Sequence, residues 1–382
     1  MNAQEVLARI ELGEDSTTQF KENITNNTSL AEEMVAFSNA AGGSIIIGVK
    51  DSGEICGISL EDIRRLNNMI SNAASDQVKP AIAPLTTTMK LDGHLLLILD
   101  IQPGINKPYS TNSGVYITKS GADKRRISQE ELQRLFQDAQ KIHADELVVF
   151  GSSPGDLDEK SISTYYEREY GESINNQAIS RSKILENLYI TRGDNLTLAG
   201  LLVFGKKPYL KKPTYVIKAV SFVGNDLAGT SYRDSEDIKG TIVELFTRGL
   251  SFLTRNLHKR QNGKSFNSEG DLEIPKIVLE ELLVNAIIHR DYFIEAAINL
   301  FIYDNRVEIT SPGKLPNNLT VDNIKYGISV IRNPIVASFA AKLLPYRGIG
   351  SGIVRAIKNY EKIEFINNKE AERFTVILHR LL

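Results

Sequence analysis

The sequence predicts an α+β protein of two mixed α/β domains joined by a short helical module. Three observations lead there. Explicit helix starts alternate with apolar runs of strand length. The 382 residues exceed what one ordinary core organises. No internal repeat or low-complexity tract interrupts the pattern.

The first domain is expected over residues 1–141. Ser29 and Glu32 stand in capping-box spacing, Leu30, Met34 and Phe37 share a helical stripe, and Gly42-Gly43 stop the chain, giving a helix over 29–41. Ile45-Ile46-Ile47 reads as a buried strand, and Asp51-Ser52-Gly53 turns it into a hairpin through Glu54–Ile58. A second helix follows around 60–74, then strands at 94–101 and 114–118. Ser128 and Glu131 repeat the capping-box spacing and open a closing helix over 128–141. Residues 142–196 are polar and short-patterned, which predicts a connecting module of two or three helices. From Thr197 the pattern turns strand-rich, with AGLLVFGKKP and PTYVIKAVSFVG as strands of a domain over 197–382. Helices are expected over about 238–257, from Pro275, and over 353–360, with a strand pair at 296–303 and 306–310 between the last two.

Charge excludes a simple polyanion clamp. Residues 1–140 hold 13 Lys and Arg against 18 Asp and Glu, a net charge of −5; the remainder holds 32 against 29, a net +3. With no basic tail, nucleic-acid contact must come from a local patch. Lys119, Lys124, Arg125 and Arg126 are the densest cluster of the first domain, and Lys206, Lys207, Lys211 and Lys212 form a second further on. Runs of this size otherwise serve as solvated faces. The single Cys56 rules out an intramolecular disulfide or a thiolate cluster and fits a reducing cytoplasm. No apolar run nears the roughly 20 residues of a membrane span, and the early acids of MNAQEVLARIELGED exclude a signal peptide.

Several motif matches fail on mechanism. Gly151-Ser152-Ser153-Pro154-Gly155 has the G-x-S-x-G spacing, but Pro154 lacks the N–H that an oxyanion hole needs after the nucleophile. His289-Arg290-Asp291 has no glycine-rich loop or DFG beside it. There is no P-loop, so motor chemistry is excluded, and no His/Cys spacing for zinc.

The helix from Pro275 carries the strongest signal. Glu281 and Asn285 lie four apart, one turn above each other on one face, where a carboxylate and an amide oxygen can both reach a hard cation or its water. The following strand pair ends at Ser311-Pro312-Gly313-Lys314-Leu315, and Arg347-Gly348-Ile349-Gly350-Ser351-Gly352 opens a helix, where backbone N–H groups can meet phosphate. ELLVNAIIHRDY, SPGKLP and RNP ahead of RGIGSGI resemble the divergent GHKL-type ATPase domain of bacterial proteins labelled transcriptional regulators or RecG-like helicases. The resemblance spans about 197–382 and implies an α/β sandwich, with AGLLVFGK as its leading strand. It implies that Glu281 is the general base, Asn285 the magnesium ligand, Gly313 the floor under adenine, and Gly348, Gly350 and Gly352 the phosphate lining, with ATP and Mg as cofactors. Ser311 stands where such proteins read adenine with an Asp.

Glu14–Glu22, AFSNAAGGSIIIGVKDSGEICGI, Lys107-Pro108-Tyr109 and VYITKSGADKRRIS resemble the Schlafen-type AlbA-like domain over about 10–137, which implies a mixed-sheet module that handles nucleic acid. Nuclease members gather three carboxylates around a metal. The matching positions here are Glu14, Gln19 and Asp51, and the neutral amide of Gln19 breaks the set. Together the two resemblances imply a nucleic-acid-binding regulator of transcription or phage defence with a nucleotide-binding second domain. The alternatives are a Mg-dependent ATPase, a metal-dependent nuclease of RNA or DNA, and a non-enzymatic oligomeric scaffold. Expected partners are nucleic acid, DNA or RNA, and further copies of the chain, with no membrane. The last expected strand, RFTVILHR, lies close to Leu382, so DNA reading is expected to fall on the first domain.

Overall fold

The computed structural model describes residues 2–139, 141–229, 231–260, 270–316 and 319–380. The chain forms two units, Met1–Ile142 and His143–Leu382.

The first unit runs α1 (Ala3–Leu12), β1 (Thr18–Lys21), α2 (Asn27–Asn39), β2 (Gly43–Ile47), α3 (Leu60–Asn72), β3 (Leu85–Leu91), β4 (His94–Ile101), β5 (Ile117–Ser120), β6 (Asp123–Arg126) and α4 (Gln129–Asp138). Its mixed sheet has the order β1-β2-β4-β3, with β1 parallel to β2 and the other pairs antiparallel. The apolar runs of β2 and β4 are continuous because both faces are covered. Ile45, Ile47, Leu97 and Leu99 pack on the α2 side, while Ile46, Leu96 and Ile98 pack with Val6 and Ile10 of α1. Successive strand side chains point to opposite faces, so one run feeds two cores.

Three expectations in this unit change, the first being that the strand expected at 114–118 lies at Ile117–Ser120. Helix α2 starts at Asn27, because the Asn26 side chain accepts from the N–H groups of Thr28 and Ser29; Ser29 therefore lies inside the first turn. The hairpin through 54–58 reduces to a single antiparallel bridge, Val49 to Ile55.

The second unit runs α5 (Glu159–Tyr170), α6 (Arg181–Asn187), α7 (Leu198–Phe204), β7 (Ile217–Phe222), β8 (Tyr232–Ile238), α8 (Ile242–Asn256), α9 (Lys276–Ile288), β9 (Ile298–Ile302), β10 (Arg306–Pro312), α10 (Pro334–Leu343), α11 (Ser351–Asn359), β11 (Ile363–Asn368) and β12 (Arg373–His379). Its six-stranded sheet has the order β8-β7-β9-β10-β12-β11; β7 and β9 are parallel and every other pair is antiparallel. AGLLVFG, expected as a strand, is helix α7. Thr197 caps it by accepting from Gly200 N–H at 2.9 Å, and all seven of its residues are buried. A short run buried on every side carries no period, which is why its type was not legible.

Residues 142–196, expected as a separate connector, contribute Leu157, Ile162, Ile184 and Leu196 to the core that also holds α9 and the sheet. Buried Asp145 strengthens that union. Its Oδ2 accepts from Ile335 N–H at 2.7 Å and Val336 N–H at 2.9 Å, capping α10, and burial pushes its carboxyl up to about 6. Among the described residues, no helix is long and apolar enough to cross a membrane.

Candidate functional site

Helix α9 is apolar almost all round, so the one turn that carries Glu281 and Asn285 has to face something other than the core. It faces α11. Glu281, Asn285, Gly313, Gly348, Gly350 and Gly352 all line one cavity of about 120 Å³ in the second unit. Its walls are largely apolar: Leu282 from α9, Ile309 from β10, Phe374 and Val376 from β12. The glycines are there for space and for backbone conformation. Gly348 and Gly350 sit at φ +69° and +74°, and a Cβ on Gly350 would collide with the Gly327 carbonyl oxygen. Gly352 has ordinary backbone, but a Cβ there would collide with Glu281 Oε2. The turn is therefore pressed against α9, with the N-terminus of α11 opening onto the cavity. An apolar slot beside a glycine turn and a helix N-terminus suits a flat base with an anionic tail.

The polar groups have partners that sequence could not reveal. Arg355 of α11 donates from Nη1 to Glu281 Oε1 at 2.5 Å and from Nη2 to Ser351 Oγ at 3.3 Å. Burial pushes the Glu281 carboxyl up, and the Arg355 guanidinium opposes the shift. Asn285 Nδ2 donates to the Glu281 carbonyl at 2.7 Å, which leaves its Oδ1 as the group able to take a ligand. Ser311, in the place of the adenine-reading Asp, is buried and donates to the Ala286 carbonyl at 2.9 Å, so its lone pairs are all it can offer a base. His289 also lines the cavity, 3.2 Å from the Tyr346 hydroxyl. Burial, with the Arg332 charge, lowers its pKa to about 4, so it is neutral at pH 7.

This donor set fits a nucleotide's base and phosphates but does not fit a divalent cation. The carboxylate that would share a cation with Asn285 already holds a guanidinium. At an effective dielectric of about 20, a like unit charge ~5 Å away costs roughly 3 kcal/mol. Among the described residues, no three His, Cys, Asp or Glu side chains gather to hold a metal.

The N-terminal constellation is also internally occupied. Glu14 Oε1 accepts from Gln19 Nε2 at 2.9 Å and from Phe20 N–H at 2.6 Å. Gln19 Oε1 accepts from Lys119 Nζ at 2.7 Å. Lys119 is buried, also donates to the Ala122 carbonyl, and lies 4.0 Å from Glu33; burial lowers its pKa. Asp51 is exposed in its turn.

The expected basic patch shrinks accordingly. Lys124 pairs with Glu32 at 2.8 Å and Glu33 at 3.3 Å. Arg125 makes a two-pronged pair with Glu131, at 2.7 and 2.6 Å. Lys119 and Lys124 are thus structural cations facing carboxylates, and the exposed cationic surface of β6 is that of Arg125 and Arg126. In the second unit, Lys206 and Lys211 donate to the Gly155 and Gly151 carbonyls and tether the loop that imitates a nucleophile elbow. Ser153 of that loop takes the Asp156 carboxylate on its N–H at 2.8 Å, as a cap. Arg290 of the kinase-like tripeptide is buried between the rings of Tyr215 and Tyr292.

Three family models match parts of the chain. Residues 14–128 match the model described as "Schlafen, AlbA_2", and residues 295–378 match "Putative ATP-dependent DNA helicase recG C-terminal". The second match takes in the glycine turns but begins after Glu281 and Asn285. Residues 133–218 match a domain of unknown function. No curated protein shows significant similarity to the chain. Among solved structures, the DIP2311 protein from Corynebacterium diphtheriae is 17% identical with a TM-score of 0.46, covering 96% of this chain and 65% of that one. The chain therefore spans about two thirds of that protein's length. The N-terminal domain of a RecG-related protein from Nitrosomonas europaea is 18% identical with a TM-score of 0.26, covering 34% of this chain and 95% of that one. Two of the three matched families suggest a nucleic-acid-related function, and the chain joins a Schlafen AlbA_2 domain to a RecG C-terminal-like, ATPase-like domain.

Proposed function

We propose that this chain is a nucleic-acid-binding regulator, of transcription or of phage defence, whose second unit binds ATP and uses its presence to bias contact with DNA or RNA. The observation that carries the nucleotide reading is the meeting of six separately identified residues, from Glu281 to Gly352, around one largely apolar cavity. The base lies against Leu282, Ile309, Phe374 and Val376, with Gly313 beneath it, and the phosphates lie on the 348–352 turn. Binding without turnover is favoured, because Glu281 is held by Arg355 rather than presented to water.

The test is the melting temperature of the full chain with millimolar ATP, GTP or adenosine. A ligand at a hundredfold excess over its dissociation constant stabilises the folded state by about 2.7 kcal/mol. ATP should raise the melting temperature clearly. GTP should come close to it, because a Ser311 hydroxyl discriminates less than a carboxylate. Silence with every nucleotide would refute the reading. For the first unit, Arg125 and Arg126 are the proposed phosphate contacts. Reversing Arg126 should reduce the salt slope of nucleic-acid binding by about one.

A further inference from the structure

We infer that Arg355 supplies, at the phosphates of the bound nucleotide, the positive charge that a divalent cation would otherwise bring, so that the second unit holds its ligand without metal. The inference rests on the nucleotide reading above and narrows it.

Four observations carry it. Arg355 lines the same cavity as the glycine turn. Its side chain is 29% exposed, so it is reachable from that cavity, whereas the Glu281 side chain is only 8% exposed. The guanidinium uses Nη1 for Glu281 and Nη2 for Ser351, and its planar fork has further N–H donors to offer a phosphate. Glu281 is close-packed beneath the turn, since a Cβ on Gly352 would strike its Oε2. Its Oε1 is already taken by the Arg355 guanidinium, so the carboxylate is charge-paired where a cation shared with Asn285 would need it.

The consequence is a ligand site whose charge is built into the fold. Glu281 neutralises and aims Arg355, acting as a positioning residue. The guanidinium and the backbone N–H groups at the start of α11 meet the phosphates together. No proton is taken from water in this arrangement, so the nucleotide leaves as it arrived.

Calorimetry of ATP binding to the full chain, in excess EDTA and in millimolar magnesium, separates the possibilities. The wild-type dissociation constant should agree within about twofold between the two conditions. Arg355→Met should weaken binding in EDTA by about tenfold or more, the scale of a lost charge-assisted hydrogen bond. Magnesium should then restore part of the affinity, because the freed Glu281 carboxylate stands beside Asn285. Arg355→Lys should keep an intermediate, metal-independent affinity, which a purely structural role would not produce, and unliganded melting curves identify any variant that fails to fold. Wild-type binding that needs magnesium would overturn the inference while leaving the nucleotide reading intact. Absence of wild-type binding in both conditions would remove the reading itself, and this inference with it.

Discussion

Alanine at Gly350 should damage the second unit more than alanine at Gly348, although both glycines have the same backbone hand. Their φ values are +74° and +69°, and an L-residue pays about 1–2 kcal/mol in that region. At Gly348 the added Cβ would rest 3.5 Å from the Tyr346 ring, an ordinary contact. At Gly350 it would collide with the Gly327 carbonyl, a backbone atom that cannot swing aside as a side chain can. Forcing such an overlap typically costs a further 1–3 kcal/mol, roughly. For a unit of this size, 1 kcal/mol moves the melting temperature by about 2–4 °C. Gly348→Ala should therefore lower it by about 2–8 °C, and Gly350→Ala by a further ~2–12 °C. Differential scanning calorimetry of the two variants and the parent reads the difference directly. Gly350→Ala should also lose the ATP response, because relieving the collision moves the start of α11. Equal melting temperatures for the two variants, or a lower one for Gly348→Ala, would refute the claim that contact with Gly327 holds the turn in place.

Other consequences concern the buried charges. Asp145 titrates at about 6 in the folded chain against an ordinary 3.8, so the folded state keeps a proton that the unfolded state has lost. Its contribution is complete below pH ~4 and falls by about 3 kcal/mol as pH rises to 6. Asp145→Asn should flatten that part of the urea-midpoint profile, and a profile parallel to that of the parent would sink the assignment. Lys124→Glu should destabilise the first unit by roughly 1–3 kcal/mol, because it faces two carboxylates, whereas Arg126→Glu should stay within about 0.5 kcal/mol; matching melting curves for the two would return Lys124 to the surface patch. The chain should not cleave tRNA, rRNA or single-stranded DNA with Mg²⁺ or Mn²⁺, since Lys119 bonds to Gln19 within the constellation. Metal-dependent cleavage that Glu14→Ala abolishes would contradict this.

Sequence alone was informative wherever local chemistry decides structure. The Ser128 and Glu131 capping box forms as expected, β4 spans 94–101 as read, and the helix after Pro275 begins where proline permits. The α9 turn and the two glycine turns could be read together because their order resembles a GHKL-type domain, and they line one cavity. What sequence could not supply were the partners of charged side chains. Arg355 meets Glu281 across 74 positions and Lys119 meets Gln19 across 100. Nothing in either neighbourhood announces the pairing. In both units, a side-chain cation belonging to the chain sits on the very group first read as a metal ligand or its neighbour. A run of basic residues likewise says nothing about which of them will be spent on carboxylates, and Lys124 is, on two of them.

The packing of residues 142–196 bears on how this protein can be cut, copied or inherited. A clone beginning at Thr197 would strip Leu157, Ile162 and Ile184 from the core they share with α9. It would also delete the carboxylate that caps α10. Such a fragment should aggregate, while one beginning at His143 keeps its interior whole. Limited proteolysis should accordingly release a C-terminal piece of the longer kind. A gene fusion that carried only the ATPase-like segment to a new neighbour would face the same difficulty, so the stretch before Thr197 and the segment after it are constrained to travel together.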